Sequence, residues 1–278
     1  MNYPRISIVT PSFNQGEHLE QTILSVISQN YPNLEYVIID GGSTDNSVEI
    51  IKKYESYLSY WVSEKDEGQY YAIKKGFSHT KGEIMGWINS SDLLYPWTLN
   101  TLAMLFNEFD IIEWVTGLPT HISAGTGPQN VSQHKFINKY DIIGFNHKWI
   151  QQESTFWRRT VWNKVNGLDL NFKSAADFKL WIDFFKYTDL YFMNTILGCF
   201  RFHNTRRGAE KVYEQEVNNL ITELRKNNIR DRIKSDFIKY LTLNSSLLKR
   251  KLSHKKTFSW YRHPEIFYDF TSNRWRIK

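Results

Sequence analysis

The sequence predicts an α/β fold with a mainly parallel central sheet and helices on both of its faces. Short apolar runs rich in β-branched residues alternate with helical segments between residues 5 and 116, which is the alternation expected of βαβ units. Two of these runs end directly in turns that carry a carboxylate, Asp40 and Asp92. Because open α/β sheets bind ligands at the carboxyl ends of their strands, we expect a polar crevice there.

The first half of the chain contains predicted strands and helices in strict alternation. Each strand is a short apolar run bounded by turn residues, and each helix repeats apolar residues at helical spacing. Asn46 is expected to cap the second helix. The strands are predicted at residues 5–10, 34–39, 58–62, 84–89 and 111–116. The helices are predicted near residues 19–27, 46–51, 69–78 and 97–109.

The second half gives weaker signals. Residues 117–146 show no clear pattern, residues 155–158 are typical of a strand, and an aromatic-faced helix begins near Asp177. Beyond Gly208 the spacing is helical up to an aromatic and basic end. We therefore expect a helical extension after the α/β part.

Composition and charge limit the class of protein. The single cysteine, Cys199, excludes an internal disulfide and suits a reducing compartment. No apolar run approaches the ~20 residues of a membrane-spanning helix, and the N-terminus has no signal-peptide pattern. Residues 206–278 hold 18 Lys and Arg against 8 Asp and Glu, a net charge of +10, so the preceding residues carry −4 of the chain's +6. We expect a cytoplasmic protein whose basic tail either binds an anionic surface or simply faces solvent.

Two carboxylates at strand ends are the first candidates for binding chemistry. Asp40 precedes two glycines, Gly41 and Gly42, which allow a flat ligand to approach the backbone closely. Asp92 ends a polar turn and can supply one oxygen to Mg²⁺ or Mn²⁺, cations that take their other ligands from substrate phosphates and water. The alternatives are an ordinary turn Asp at position 40 and a helix cap at position 92.

A second group of candidates lies in the later half. Asp177 suits a general base that takes a proton from a hydroxyl, or a cap of its own helix, and Glu153 is the rival base. Arginine side chains match phosphate oxygens well, and a lone histidine is more often structural than a ligand. The candidate phosphate contacts are Arg201, Arg206 and Arg207, and the candidate second metal ligand is His203.

Several motifs are missing, and their absence narrows the function. The chain has no Gly-x-Gly-x-x-Gly after the first strand and no P-loop, so dinucleotide and P-loop chemistry are not expected. It also has no Gly-x-Ser-x-Gly nucleophile elbow and no Cys/His cluster for zinc.

Ordered motifs across residues 4–207 resemble the family 2 glycosyltransferases with the GT-A fold. The resemblance lies in residues 8–14, 38–45, 66–69 and 82–92, and residues 152–159 and 176–181 resemble the acceptor-side motifs of members that assemble bacterial polysaccharides. It implies a GT-A domain over residues 1–207, with a nucleotide-binding half at 1–116 and an acceptor half at 117–207, followed by an extension at 208–278.

The resemblance also implies roles for individual residues. Asp40 would hold uridine, Asp66 would lie near the base and ribose, Asp92 would bind Mn²⁺ or Mg²⁺ on the diphosphate, and Asp177 would be the base of an inverting displacement. The residues implied to line the nucleotide site are Thr10, Pro11, Ser12, Asn14, Asp40, Gly41, Asp66, Gly68, Gln69, Asn89, Ser90 and Ser91.

The predicted function is transfer of a hexose from a UDP-sugar to a hydroxyl of a glycan acceptor, in O-antigen or capsule synthesis. The acceptor is expected to be polyprenyl-diphosphate linked at the cytoplasmic face of the inner membrane, and no nucleic-acid partner is expected. The family usually has Asp where this chain has Ser91, which keeps a catalytically inactive scaffold open as an alternative. A sugar nucleotidyltransferase is a further alternative, although no Gly-rich basic loop follows the first strand.

Overall fold

The computed structural model describes residues 3–123, 128–131, 137–145, 149–202, 209–242 and 261–278 of the chain. The helices are α1 (Gly16–Ile27), α2 (Ser47–Lys53), α3 (Gln69–Ser78), α4 (Thr98–Glu108), α5 (Lys139–Ile143), α6 (Arg159–Val165), α7 (Ala176–Phe184), α8 (Ala209–Asn227) and α9 (Ile229–Thr242). The strands are β1 (Ile6–Ser12), β2 (Leu34–Asp40), β3 (Tyr60–Ser63), β4 (Ile84–Trp87), β5 (Leu93–Leu94), β6 (Trp114–Thr116), β7 (Thr120–Ser123), β8 (Pro128–Val131), β9 (Thr155–Arg158), β10 (Tyr191–Met193), β11 (Gly198–Phe202), β12 (Glu265–Asp269) and β13 (Arg274–Ile277).

A large mixed sheet forms the centre of the described structure. Its strand order is β13-β12-β10-β6-β9-β4-β1-β2-β3. Strands β4, β1, β2 and β3 are parallel, and β9 runs antiparallel between β4 and β6. The register places Ser12 opposite Asp40 and Asp40 opposite Ser63, so the first three strands end at the same edge. The predicted mainly parallel α/β sheet is confirmed.

Both faces of this sheet are covered, because neighbouring residues of each strand point to opposite sides. On β1, Val9 packs with the side that holds Trp87 and Trp181, whereas Ile8 packs with the side that holds α1 and α4. Trp181 stacks at 6.0 Å on Trp87 and at 5.5 Å on Trp114. Such aromatic pairs stabilise a core by about 0.5–1.5 kcal/mol beyond the area they bury.

A smaller sheet lies beside the carboxyl end of β4, with the order β5-β11-β7-β8. Strand β5 follows Asp92 directly and pairs antiparallel with β11, so that Cys199 lies opposite Leu93. Strand β7 runs parallel to β11 on its other side. This sheet therefore connects the turn at Asp92 to the second half of the chain, and its strands β7 and β8 lie within residues 117–146, where the sequence showed no clear pattern.

The C-terminal extension combines helices with strands. Helices α8 and α9 agree with the helical prediction, but residues 265–277 form a hairpin that the sequence analysis missed. Strand β12 pairs in parallel with β10, and Ile266 and Tyr261 are fully buried. Asn273 has a φ of +53°, a left-handed conformation that asparagine tolerates in tight turns. Among the described residues, no helix is both long and apolar enough to cross a membrane.

Candidate active site

The loops after β1 and β2 are tied to each other by their own polar groups. The backbone N–H of Asn14 donates to the Ser43 hydroxyl, and the Thr44 N–H donates to the Asn14 side-chain oxygen, both at 2.8 Å. The Gly41 N–H donates to the carbonyl of Ser12 at 2.8 Å. Two predicted nucleotide-binding segments therefore form one continuous polar rim at the end of the sheet.

Asp40 lies at the centre of this rim and is fully buried. Its carboxylate accepts hydrogen bonds from the N–H groups of Gly42 and Ser43 at 3.1 and 2.9 Å, and from the hydroxyls of Ser43 and Ser63 at 2.5 and 2.6 Å. These four donors satisfy a charge that would be costly to bury alone. Asp40 thus stabilises the loop after β2, and its contact with the uracil base of a nucleotide stays a prediction.

Asp66 approaches the same rim from the loop after β3. A Cβ atom at Gly41 would lie 3.1 Å from both carboxylate oxygens of Asp66, so glycine is what leaves room for this carboxylate. Asp66 also accepts from the N–H of Gly68 at 2.9 Å, and Gly68 has a φ of +118° where α3 begins. The structure therefore brings the predicted positions 40, 41, 66 and 68 together.

The Asn89–Asp92 turn completes the crevice at the end of β4. The Asn89 amide donates to the Asp92 carboxylate at 3.0 Å and accepts from Gln69 at 2.6 Å, which connects this turn to α3. Asn89 also donates to Gln152 at 3.3 Å, and Gln152 in turn donates to the carbonyl of Trp87 at 2.5 Å. Gln152 is a contact of this turn that the sequence analysis missed, because nothing local relates it to residue 89.

Arg201 stabilises the Asn89–Asp92 turn by hydrogen bonds. Its backbone N–H donates to the Asp92 carboxylate at 3.0 Å, and its guanidinium donates to the Ser91 carbonyl at 2.8 Å and to Gln21 at 2.7 Å. Arg201 is only 4% exposed, so the structure gives it a supporting position. Its predicted phosphate contact, like those of Arg206 and Arg207, stays a prediction, and Arg206 and Arg207 lie outside the described residues.

The donor set at this end of the sheet suits a cation that is shared with a substrate. Within the described ranges, no three Asp, Glu, His or Cys side chains come close enough to hold a metal by themselves. Asp92 supplies one carboxylate, and the position before it is Ser91. Magnesium and manganese sites of this kind complete their coordination with phosphate oxygens and water. The second predicted ligand, His203, lies outside the described residues.

Asp177 lies near the start of α7, in surroundings that raise the pKa of its carboxyl group. It accepts from the N–H of Phe178 at 2.7 Å and from the hydroxyl of Tyr70 at 3.4 Å. Burial, together with the nearby carboxylate of Glu216, raises the pKa of Asp177 to about 6. A carboxylate with this pKa is largely ionised near neutral pH yet more basic than an ordinary aspartate, which is the property that a general base needs.

Three residues around Asp177 were not predicted from the sequence. Tyr70 comes from α3, and Tyr213 and Glu216 come from α8. Burial raises the pKa of both tyrosines well above the ordinary value, so their hydroxyls keep their protons. Glu216 accepts from three successive backbone N–H groups of the loop before α7, those of residues 173, 174 and 175. No local motif marks these residues, because their partners are distant in sequence.

The rival base Glu153 occupies a different environment. It is 1% exposed, in a single 3-10 turn over Gln152–Ser154, and accepts from the side chain of Gln151 at 2.6 Å. Asp177 is more open to solvent than Glu153. The structure thus favours Asp177 of the two carboxylates as the one that a substrate can reach.

Comparison with known proteins identifies the family. The protein-family model described as glycosyl transferase family 2 matches residues 7–193 of the chain. The chain belongs to glycosyltransferase family 2. Curated relatives are also named glycosyltransferases: an uncharacterized glycosyltransferase of Mycobacterium tuberculosis is 29% identical over 180 residues, 63% of this chain and 66% of that protein. Another from Rickettsia typhi is 25% identical over 258 residues, 91% of this chain and 77% of that protein.

Solved structures of glycosyltransferases share the fold of this family member. Residues 1–349 of S. aureus TarS in complex with UDP-GlcNAc match with a TM-score of 0.64 at 16% identity, over 92% of this chain and 77% of that one. The mannosyltransferase PcManGT from Pyrobaculum calidifontis, in complex with GDP-Man and Mn²⁺, matches with a TM-score of 0.55 at 14% identity, over 94% and 84%. The predicted GT-A fold is confirmed. The chain covers 66% of the Mycobacterium relative and 45% of the longer TarS chain, less than two thirds of each.

Proposed function

We propose that this glycosyltransferase moves a hexose from a UDP-sugar to a glycan hydroxyl with inversion at the anomeric carbon. The observation that carries the proposal is the pairing of a polar crevice at the ends of β1, β2 and β4 with a separate carboxylate, Asp177, whose pKa is raised to about 6. The crevice suits the nucleotide diphosphate, and Asp177 suits the acceptor hydroxyl.

The proposed reaction is a single displacement. Asp177 takes the proton of the acceptor hydroxyl while that oxygen forms a bond to the anomeric carbon, and the bond from this carbon to the diphosphate oxygen breaks with release of UDP. Tyr70 keeps the carboxylate oriented through its 3.4 Å contact. Asp92 would hold Mn²⁺ or Mg²⁺, which would neutralise charge on the departing diphosphate.

The choice of nucleotide rests on the rim around Asp40 and on structural relatives. TarS is described in complex with UDP-GlcNAc and with UDP, whereas PcManGT is described with GDP-Man and Mn²⁺. We propose UDP for this chain, and a cell-surface polysaccharide as the product. Because the acceptor would be a lipid-linked glycan, we also propose peripheral attachment to the cytoplasmic face of the membrane.

A screen of nucleotide release tests the proposal against its alternatives. UDP-glucose, UDP-galactose, UDP-N-acetylglucosamine and GDP-mannose are supplied with Mn²⁺ and lipid-linked glycans extracted from bacterial membranes. We expect acceptor-dependent release of UDP that is lost in Asp177→Asn and kept in Asp110→Asn, which changes a fully exposed carboxylate. Release of pyrophosphate from UTP and a sugar phosphate would instead indicate a nucleotidyltransferase, and no release at all would indicate an inactive scaffold.

A further inference from the structure

Four aromatic rings, three from the small sheet and one from residue 149, form a partly exposed group outside the residues used so far. We call the group of His121, Trp149, Phe200 and Phe202 the aromatic platform. The rings of His121 and Trp149 are stacked with centroids 6.1 Å apart, and Phe200 lies edge-on to Trp149 at 5.5 Å and to Phe202 at 5.2 Å. Trp149 is 40% exposed and Phe202 is 55% exposed, although large apolar rings are normally buried.

The alternation of β11 explains which way this group points. Cys199 and Arg201 occupy one side of the strand, where Arg201 reaches the turn at Asp92 and Gln21. Phe200 and Phe202 occupy the other side, the side of Gly198. His121 is the register partner of Phe200 on β7, which brings it to the same side.

The side of β11 that carries Phe200 and Phe202 also contacts a neighbour of the crevice. A Cβ atom at Gly198 would lie 1.9 Å from the carbonyl oxygen of Glu153, so this side of β11 rests on the 3-10 turn whose Gln152 contacts Asn89. The backbone N–H of Arg201, between the two phenylalanines, holds the carboxylate of Asp92. The aromatic platform therefore lies on a strand that contacts the end of the crevice through the backbone of Arg201 and, through Gly198, the turn of Gln152.

We propose that the aromatic platform binds a sugar ring of the acceptor glycan. A pyranose ring has an apolar face of C–H groups with hydroxyls around its edge, which matches a flat aromatic surface bordered by polar groups. Exposed apolar patches bordered by polar residues are among the surfaces at which proteins bind ligands. Burial lowers the pKa of His121, so its ring is uncharged at neutral pH and suits such stacking. The inference rests on the proposed transferase function, whose acceptor it describes.

The platform is tested with Trp149→Ala and Phe202→Ala, against Phe270→Ala as a control at an 88% exposed ring on the C-terminal hairpin. Saturation-transfer NMR with neutral trisaccharides of glucose, galactose and N-acetylglucosamine reports ring contact directly. We expect transfer to sugar C–H protons in the wild type and in Phe270→Ala, and its loss in both platform variants. In turnover, the acceptor KM should rise at least about tenfold, about 1.4 kcal/mol, while the affinity for UDP stays unchanged.

The outcomes separate this inference from the proposed function. An unchanged acceptor KM in active platform variants overturns the inference alone. A wild-type protein that shows no saturation transfer to any of the trisaccharides does the same. Sugar contact that depends on Trp149 in a protein without UDP release supports the platform and overturns the transferase. If the variants instead lose binding to vesicles of anionic lipid while keeping their sugar contact, the surface is a membrane contact and the inference fails.

Discussion

Glu216 on α8 accepts a hydrogen bond from the backbone N–H of Ala175 at 2.9 Å, two residues before Asp177. The same carboxylate also accepts from the N–H groups of Ser174 at 2.9 Å and Lys173 at 2.8 Å. A single side chain of the C-terminal extension therefore fixes the loop that presents the proposed base. Its negative charge also contributes to the raised pKa of Asp177. The extension thus supports the loop of the proposed active site.

We expect Glu216→Gln to move the acid limb of the pH profile. The base works when deprotonated, so turnover should fall as the pH drops through about 6, the pKa of Asp177. Tyr70, Tyr213 and Glu216 face this carboxylate, and only Glu216 brings a negative charge. Removing that charge should lower the pKa of Asp177 and shift the limb to lower pH.

The measurement is kcat/KM for the acceptor between pH 5 and pH 8. Glu214→Gln, an exposed change on the same helix, should leave the limb in place. A Glu216 variant that is slower at every pH with an unmoved limb would show that the residue acts only through the structure of the loop.

Asp177→Asn should separate catalysis from stability. Turnover should fall by ~10²–10⁴, the usual contribution of a general base, with UDP affinity unchanged. Because the folded pKa of about 6 lies above the ordinary 3.8, the ionised side chain opposes folding above that range. The variant should therefore unfold at a higher temperature than the wild type at pH 8, and this advantage should disappear towards pH 4. If Glu153→Gln abolishes turnover and Asp177→Asn is mild, the wrong carboxylate has been named.

The sequence predicted local features well and long-range contacts poorly. Helix α3 lies where its apolar spacing placed it, and α2 begins after Asn46, although no hydrogen bond from the Asn46 side chain caps it. Instead, Asp45 accepts from the N–H of Ser47 at 3.0 Å. The contact of Tyr70 with Asp177 joins residues 107 positions apart, and apolar periodicity carries no information about such pairs.

The C-terminal hairpin shows a second limit of sequence patterns. The sequence pattern predicted a helical extension up to an aromatic and basic end, and no strand was predicted there. Strand β12 pairs with β10 through backbone groups, and such pairing leaves little trace in side-chain chemistry. Burial of Ile266 against the central sheet stabilises this segment as a strand. A short strand of mixed polarity becomes recognisable only when its neighbour in the sheet is known.

Substitutions around Asp40 should distinguish base binding from loop building. Asp40→Asn should weaken UDP binding at least about tenfold, about 1.4 kcal/mol, and should lower the free energy of unfolding by about 1–3 kcal/mol because buried donors lose their acceptor. Ser63→Ala removes one of those donors and keeps the carboxylate. Calorimetry should find UDP affinity near the wild-type value in Ser63→Ala. Equal losses in both variants would mean that Asp40 acts only through the loop.

Metal use should depend on the nucleotide. With Ser91 before it, Asp92 is left as the main acidic ligand, so Mn²⁺ affinity should be weak in the free protein and should rise when UDP supplies phosphate oxygens. Asp92→Asn should abolish activation by Mn²⁺, whereas Ser91→Ala, which keeps the carboxylate, should retain it. Full activity in excess EDTA, or tight Mn²⁺ binding without UDP, would contradict this expectation.

The basic segment before the hairpin is the proposed membrane contact. Its residues, Lys249, Arg250, Lys251, Lys255 and Lys256, lie outside the described part of the chain. Each basic residue near an anionic leaflet contributes about 1 kcal/mol, so replacing Lys255 and Lys256 with Gln should weaken binding to anionic vesicles by roughly thirtyfold. Truncation after Ser245 is unsuitable as a test, because it would also remove Tyr261 and Ile266 from the core.

Vesicle co-sedimentation measures this effect, with Lys211→Gln and Lys226→Gln together as a control of equal charge on the exposed surface of α8. Binding of the wild type and the control should require anionic lipid and fall with added salt, because exposed charges are screened. If the control loses as much vesicle binding as the variant at Lys255 and Lys256, the protein is attracted to the membrane by its overall positive charge and not by this segment. Sedimentation that does not depend on lipid charge would leave the segment without a role at the membrane.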